Sequence, residues 1–240
     1  MIFAYQDLLQ TNPRAFLVLV GAVVTALLVG ITVHEFSHAL AATRLGDPTP
    51  RYRGRLSLNP LAHLDPVGTM LLFIAGFGWG KPVEVNPRLM RGDPKTNMAL
   101  TAAAGPLSNL VVAALAGLAI KLDVVPWRSP FNVPNLTYWS ADDYLGLYLS
   151  SIVLFGIILA VFNLTPLWPL DGFSVAVGIL PRDLSRELER LRLWGPGLLL
   201  LFLFGIPIFT GWNPFFDLLR PAVNGVASLL TGVGDPNVFG

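Results

Sequence analysis

The chain has no cysteine, so it can build neither a disulfide framework nor a thiolate metal site, and any metal ligand must be His, Asp or Glu. Charge is scarce as well. Charged residues make up 13% of 240 positions and nearly cancel, leaving +1, and no basic run offers itself to nucleic acid. Internal repeats and low-complexity tracts are missing. Only three histidines and four glutamates occur. What is plentiful is apolar: 53% of residues are hydrophobic and the mean hydropathy is +0.61, values of a polytopic membrane protein.

Two of those histidines and one glutamate fall together. Residues 15–33 carry no charge for nineteen positions, enough for a membrane-spanning helix, and the same helix continues through His34, Glu35 and His38 without Gly or Pro. The pattern His-Glu-x-x-His puts both imidazoles one turn apart on one face, where they can reach a single zinc ion. Glu35, beside the first, can take a proton from a water at that metal. Ionisable groups in a lipid-spanning helix are expensive, so this cluster is expected to face the protein interior or a wet cavity. The alternative is a pair of buried histidines satisfied by hydrogen bonds.

Further spans are predicted over residues 96–120 and from Tyr144 through Phe162, with a Pro- and Gly-broken apolar stretch at 193–216 and a last short span or interfacial segment at 221–234. Residues 66–80 are uncharged but short, with four glycines, and are expected to be re-entrant rather than spanning. Residues 51–59 alternate and 83–85 are Val-Glu-Val, which predicts a small β-hairpin or sheet. The expected fold is an all-α polytopic membrane protein with about four to six transmembrane helices, that β element and a re-entrant segment. It is read as one membrane-embedded domain over 1–240, with a core at 15–180 and C-terminal hydrophobic helices at 193–232. The thirteen residues before Arg14 are too few for a preceding span, and no stretch is long enough for an appended soluble domain.

Lys and Arg counts orient the chain. Loops 44–65, 81–95 and 167–193 each carry four basic residues against two in 121–141, which places the N-terminus outside and the three basic loops in the cytoplasm. His34, His38 and Asp171 then fall towards the same side. Asp171 follows a segment unwound by Pro166 and Pro169, and it is either a third metal ligand or the N-cap of a helix over 173–180.

The HEFSH helix, Gly105-Pro106-Leu107-Ser108-Asn109 in a later span, and Asn163-Leu164-Thr165-Pro166 followed by Leu170-Asp171-Gly172 resemble, in order, the motifs of the site-2 protease family of intramembrane zinc metalloproteases. The resemblance covers about residues 15–180. It implies one Zn2+ per chain on His34, His38 and Asp171, with Glu35 as general base. It also implies a membrane-spanning protein substrate cut within or near its span, in regulated intramembrane proteolysis at the plasma membrane, with the active site towards the cytoplasm. Asn163 and Asn109 fall on motif positions and are weaker candidates for binding substrate or lining the site; interhelical hydrogen bonding would explain them equally. His63, in a stretch similar to one branch of the family, is a weak candidate near the site. The competing class is a non-catalytic zinc-binding membrane protein, a transporter or an inactive relative acting as a binding module. A transporter would be expected to carry ionisable residues along several spans.

Overall fold

The computed structural model describes residues 6–75, 78–132, 139–234 and 236. Helix α1 (Gln6–Thr11) leads into α2 (Pro13–Leu45). Asn12 starts α2 by accepting the Ala15 N–H at 3.1 Å, and Pro13 takes the first turn, where an N–H would go unpaired anyway. The helix stops at Gly46, whose φ of 113° lies in the left-handed region. Then follow α3 (Thr49–Tyr52), α4 (Pro66–Ala75), α5 (Pro94–Lys121), α6 (Ala141–Asn163), α7 (Asp171–Ile179), α8 (Arg182–Arg190), α9 (Gly195–Leu200), α10 (Ile206–Thr210) and α11 (Pro214–Thr231). A π-helical stretch, Leu201–Gly205, joins α9 to α10. Asp93 caps α5, accepting the hydroxyl and N–H of Thr96 at 2.7 and 2.9 Å. Those two bonds favour the carboxylate and hold its pKa below the usual range.

Among the described residues α2, α5 and α6 are long and apolar enough to cross a membrane. A fourth span results if Arg182–Leu193 and Gly195–Thr210, bent by 67°, count as one. This is the low end of the expected number, and it is the build of an integral membrane protein. Helix α2 packs on both α5 and α6, and α11 lies against the same two helices. Lipid tails are as apolar as leucine, so such helices associate by close packing rather than by escape from water. The buried residues are suited to that: Ala22, Ala26, Ala39 and Ala42 on α2, Ala102 and Ala113 on α5, Ala160 on α6. Leu154 and Ile157 of α6, with Val223 and Ala227 of α11, fill the remaining core, which also takes in Leu170 and Leu199.

Among the described residues the expected β element does not form. Residues 51–52 belong to α3, which has Pro50 in its first turn and is followed at Gly54 by a φ of +69°, so the alternation of Arg51, Arg53 and Arg55 is not a strand's two faces. Arg53 is exposed and ion-paired with Glu84, whereas Arg55 turns inward and donates to the carbonyls of Ala62 and Lys81. Residues 83–85 carry no sheet partner among the described residues. One antiparallel bridge remains, Leu64 with Gly80, reinforced by the Lys81 N–H on the His63 carbonyl at 2.7 Å. The two ends of segment 64–80 therefore lie side by side.

The extended stretch after Gly80 is anchored to the end of α2. Asp47, fully buried, accepts the N–H of Thr49 at 2.9 Å and of Asn86 at 2.6 Å, and the Arg91 N–H reaches the Leu45 carbonyl at 2.8 Å. Beyond α6 the chain turns sharply back. Gly172 makes that turn possible, because a β-carbon there would collide with the carbonyls of Leu164 and Thr165. The start of α7 is thereby pressed onto the end of α6, beside α2 and α5.

Candidate metal centre

Two helices deliver three side-chain groups to the same point. His34 and His38 come from adjacent turns of α2, and Asp171 from the first residue of α7. Asp171 Oδ2 lies 3.0 Å from His34 Nε2 and 3.2 Å from His38 Nε2, and both histidines are buried. The two rings stand edge to face, 4.6 Å apart at 87°. Asp171 does not cap its helix: the N-cap position is Leu170, and the carboxylate makes no capping bond.

The opposite ring nitrogens fix the tautomers. His38 Nδ1 lies 2.7 Å from the Thr101 carbonyl, which can only accept, so Nδ1 holds a proton and, in the neutral ring, Nε2 presents a lone pair. His34 Nδ1 lies 3.1 Å from the Asn109 amide nitrogen, while Asn109 Oδ1 is buried with no hydrogen-bond partner. With that amide turned over, Oδ1 accepts the Nδ1–H and His34 Nε2, in the neutral ring, likewise presents a lone pair. Asp171 Oδ2 is itself buried and, despite its short distances to the two Nε2 atoms, makes no bond of hydrogen-bond geometry. With both imidazoles neutral, two Nε2 lone pairs and a carboxylate oxygen face one another, which is the donor set of a cation site. Their ligand atoms lie within 4.8 Å of one another, and the group can hold one metal ion.

Gly105 of α5 forms the floor. A β-carbon there would overlap His38 Nε2 and stand 2.7 Å from His34 Nε2, so only glycine leaves room beside the ligand atoms. Glu35 is turned towards a cavity of about 490 Å³ that His34 and Asn163 also line. Its other walls are mainly apolar: Leu27 and Ile31 of α2, Phe162 of α6, Trp79 and Gly80, and Leu199 of α9. The Glu35 carboxylate thus looks into a space large enough for a peptide segment, next to the three converging donors.

Of the weaker candidates, Asn109 sits behind His34 and not in the cavity, whereas Asn163 lines the cavity and donates to the Leu159 carbonyl of its own helix at 2.9 Å. His63 is not brought to the cluster. It is fully buried, with Nε2 2.6 Å from the Ser57 carbonyl; only its backbone carbonyl approaches the site, through Gly80. Sequence reasoning missed Thr101, which acts through a backbone carbonyl that no residue type announces. It also missed Trp79 and Leu199, apolar residues without a motif.

No family model matches the chain, and no solved structure matches it. Curated relatives do. "Putative zinc metalloprotease YwhC" of Bacillus subtilis is 32% identical over 89% of this chain and 92% of its own length. "Putative zinc metalloprotease Rip2" of Mycolicibacterium smegmatis is 31% identical over 93% of this chain and 82% of its own length. The Mycobacterium tuberculosis protein of the same name is 31% identical over 87% and 75%. The buried donor set suits the zinc ion that those names specify, and the chain belongs to the zinc metalloprotease family of YwhC and Rip2.

Proposed function

We propose that this enzyme is an intramembrane endopeptidase of the site-2 protease type, cutting peptide bonds within or near the membrane-spanning segments of protein substrates. The zinc would be held by His34, His38 and Asp171. The observation that carries this reading is the convergence of two Nε2 lone pairs and Asp171 Oδ2 beside Glu35, at the wall of an apolar cavity among spanning helices.

Bound there, zinc supplies Lewis-acid polarisation of the scissile carbonyl and of the attacking water. Glu35 takes the proton from that water and delivers it to the leaving amine. The Asn109 amide and the Thr101 carbonyl keep both imidazoles in the tautomer and orientation the metal requires. Asn163, on the cavity wall, is placed to hydrogen-bond substrate backbone. A helical substrate hides its peptide bonds, so the segment to be cut must unwind, and the mainly apolar cavity then receives its side chains.

The basic residues of loops 44–65, 81–95 and 167–193 support a cytoplasmic site and an outside N-terminus. The pairing of Leu64 with Gly80 supports a re-entrant 66–80 segment, since both ends then leave on one side. The packing of α2 and of α11 on the same pair of helices, α5 and α6, supports a single membrane-embedded domain over 1–240.

Glu35→Gln is the test. It keeps side-chain size and both imidazoles but removes the proton acceptor. Zinc content should stay near one per chain while cleavage of a reconstituted single-span substrate falls by about 10³-fold or more. Undiminished cleavage by Glu35→Gln would overturn the general-base assignment.

A further inference from the structure

A second, smaller cavity of about 210 Å³ adjoins the first and shares Leu27, Ile31 and Trp79 with it. We infer that this smaller cavity is a substrate subsite that receives one aromatic side chain, close to the scissile bond. The inference rests on the peptidase reading above and names a substrate preference for that same site.

Size comes first. An apolar cavity of about 150 Å³ is enough to bind benzene, so 210 Å³ takes a phenyl or phenol ring without rearrangement. The lining is also of the right kind. On the α2 side stand Val24 and Leu28 with the shared Leu27 and Ile31, and opposite them Leu64 and Trp79. The seventh lining residue is Thr69, whose hydroxyl is buried and has no hydrogen-bond partner. A lone unsatisfied hydroxyl in an apolar pocket favours an occupant that brings a polar tip, so tyrosine should do at least as well as phenylalanine.

Position follows from helix geometry. Ile31 precedes Glu35 by four residues of α2, about 6 Å along the axis. An extended peptide advances about 3.3 Å per residue. The side chain entering this pocket therefore belongs to a residue within about two positions of the bond being cut.

The far wall is preformed. A β-carbon on Gly68, in the first turn of α4, would stand 2.9 Å from the Trp79 nitrogen and 3.0 Å from its carbonyl carbon, so the Trp79 backbone rests directly on that helix. Gly80, next in line, is paired with Leu64. Trp79 is thus held as a partition between the two cavities, and it sets how large a side chain can sit beside Glu35.

The experiment uses the full zinc-loaded chain reconstituted in lipid. Its substrates are single-span proteins identical except at one position, carrying Ala, Phe or Tyr in turn at each of the three residues on either side of the cut, which is mapped by mass spectrometry. At one of these positions Phe should exceed Ala by about 10- to 100-fold in kcat/KM, the range a filled apolar pocket gives. Leu28→Trp, and independently Val24→Phe, fill the pocket from α2 and should bring the Phe-to-Ala ratio close to one, with zinc content reporting that each variant is folded. Thr69→Val should lower Tyr relative to Phe. If wild type shows no aromatic preference at any position, or if both filling variants retain it, the subsite is refuted while the peptidase reading stands. If zinc-loaded wild type cuts none of the substrates, the peptidase reading fails and the subsite goes with it.

Discussion

His34 and Asn109 face each other inside the contact of α2 with α5, 3.1 Å apart, and the Asn109 oxygen beside that contact has no other hydrogen-bond partner. The amide is therefore the orienting partner of the first histidine, as the Thr101 carbonyl is of the second. Only the amide can be altered by substitution. Asn109→Leu should keep the helix contact but lower zinc affinity about 10- to 100-fold, the usual cost of removing such a partner. Competition with a chelator of known affinity measures it. Wild-type zinc affinity in Asn109→Leu would make Asn109 a packing residue only.

Gly105 tests the floor of the site. In Gly105→Ala the added methyl would stand 2.7 Å from His34 Nε2 and overlap His38 Nε2. Relief by overpacking shifts costs about 1–3 kcal/mol. Because the atoms that must move are the ligand atoms, the loss should show as reduced zinc occupancy in a protein that retains its helical circular dichroism. Full occupancy would place the metal away from α5.

The parts of this molecule that were legible in the sequence are those written in side-chain chemistry. A run without charge gives α2, and His34, Glu35 and His38 announce themselves inside it. Asp171 was ambiguous because an Asp-Gly before an apolar run fits a helix cap as well as a ligand; the geometry decides against the cap, since Leu170 occupies that position. The hairpin at 51–59 was misread for a physical reason. Alternating arginines imitate a two-faced strand, but Pro50 and the positive φ of Gly54 make the local structure a turn of helix. Backbone partners such as Thr101, and cavity walls such as Trp79, leave no pattern along the chain.

Arg55 ties two loops together next to Glu35. Its guanidinium is buried and donates to the carbonyls of Ala62 and Lys81, one on each side of the Leu64–Gly80 bridge. Glu35 Oε1 lies 3.6 Å from where a Gly80 β-carbon would be, so this bridge backs the Glu35 carboxylate, the proposed general base. Hydrogen bonds from a charged group contribute about 1.5–3 kcal/mol. Arg55→Ala should lower the melting temperature and reduce cleavage while leaving zinc content near one per chain, because no metal-site donor lies in these loops. Zinc loss in parallel with cleavage would mean that the loops support the ligands as well.

Topology is open to direct labelling, because the chain has no native cysteine. Leu58, Lys81 and Arg186 are exposed and lie in the three basic loops, and Leu122 is exposed beyond the far end of α5. Single cysteines at the first three positions should react with a membrane-impermeant reagent from one side only, and at Leu122 from the other. Opposite labelling at Leu58 and Lys81 would mean that segment 66–80 crosses the bilayer.

The metal itself is tested by removing its donors one at a time. Each of His34, His38 and Asp171 supplies one of three converging atoms, so any substitution to Ala leaves two donors and an open, water-filled position. Zinc affinity should fall steeply in all three. Asp171→Asn is the informative intermediate: it preserves shape and one oxygen but removes the charge that offsets the divalent ion, so its affinity should lie between those of wild type and Asp171→Ala. Chelation of wild type should act in the same direction. Stripping zinc removes a ligand that binds only the folded site, so the melting temperature should drop and recover when zinc is restored. In Asp171→Ala that metal-dependent increment should shrink, since little zinc is bound to begin with. Full zinc occupancy and an unchanged increment in Asp171→Ala would remove Asp171 from the ligand set. Asp65, now seen accepting the Gly68 N–H at 2.8 Å at the start of α4, would then be the next acidic residue to substitute.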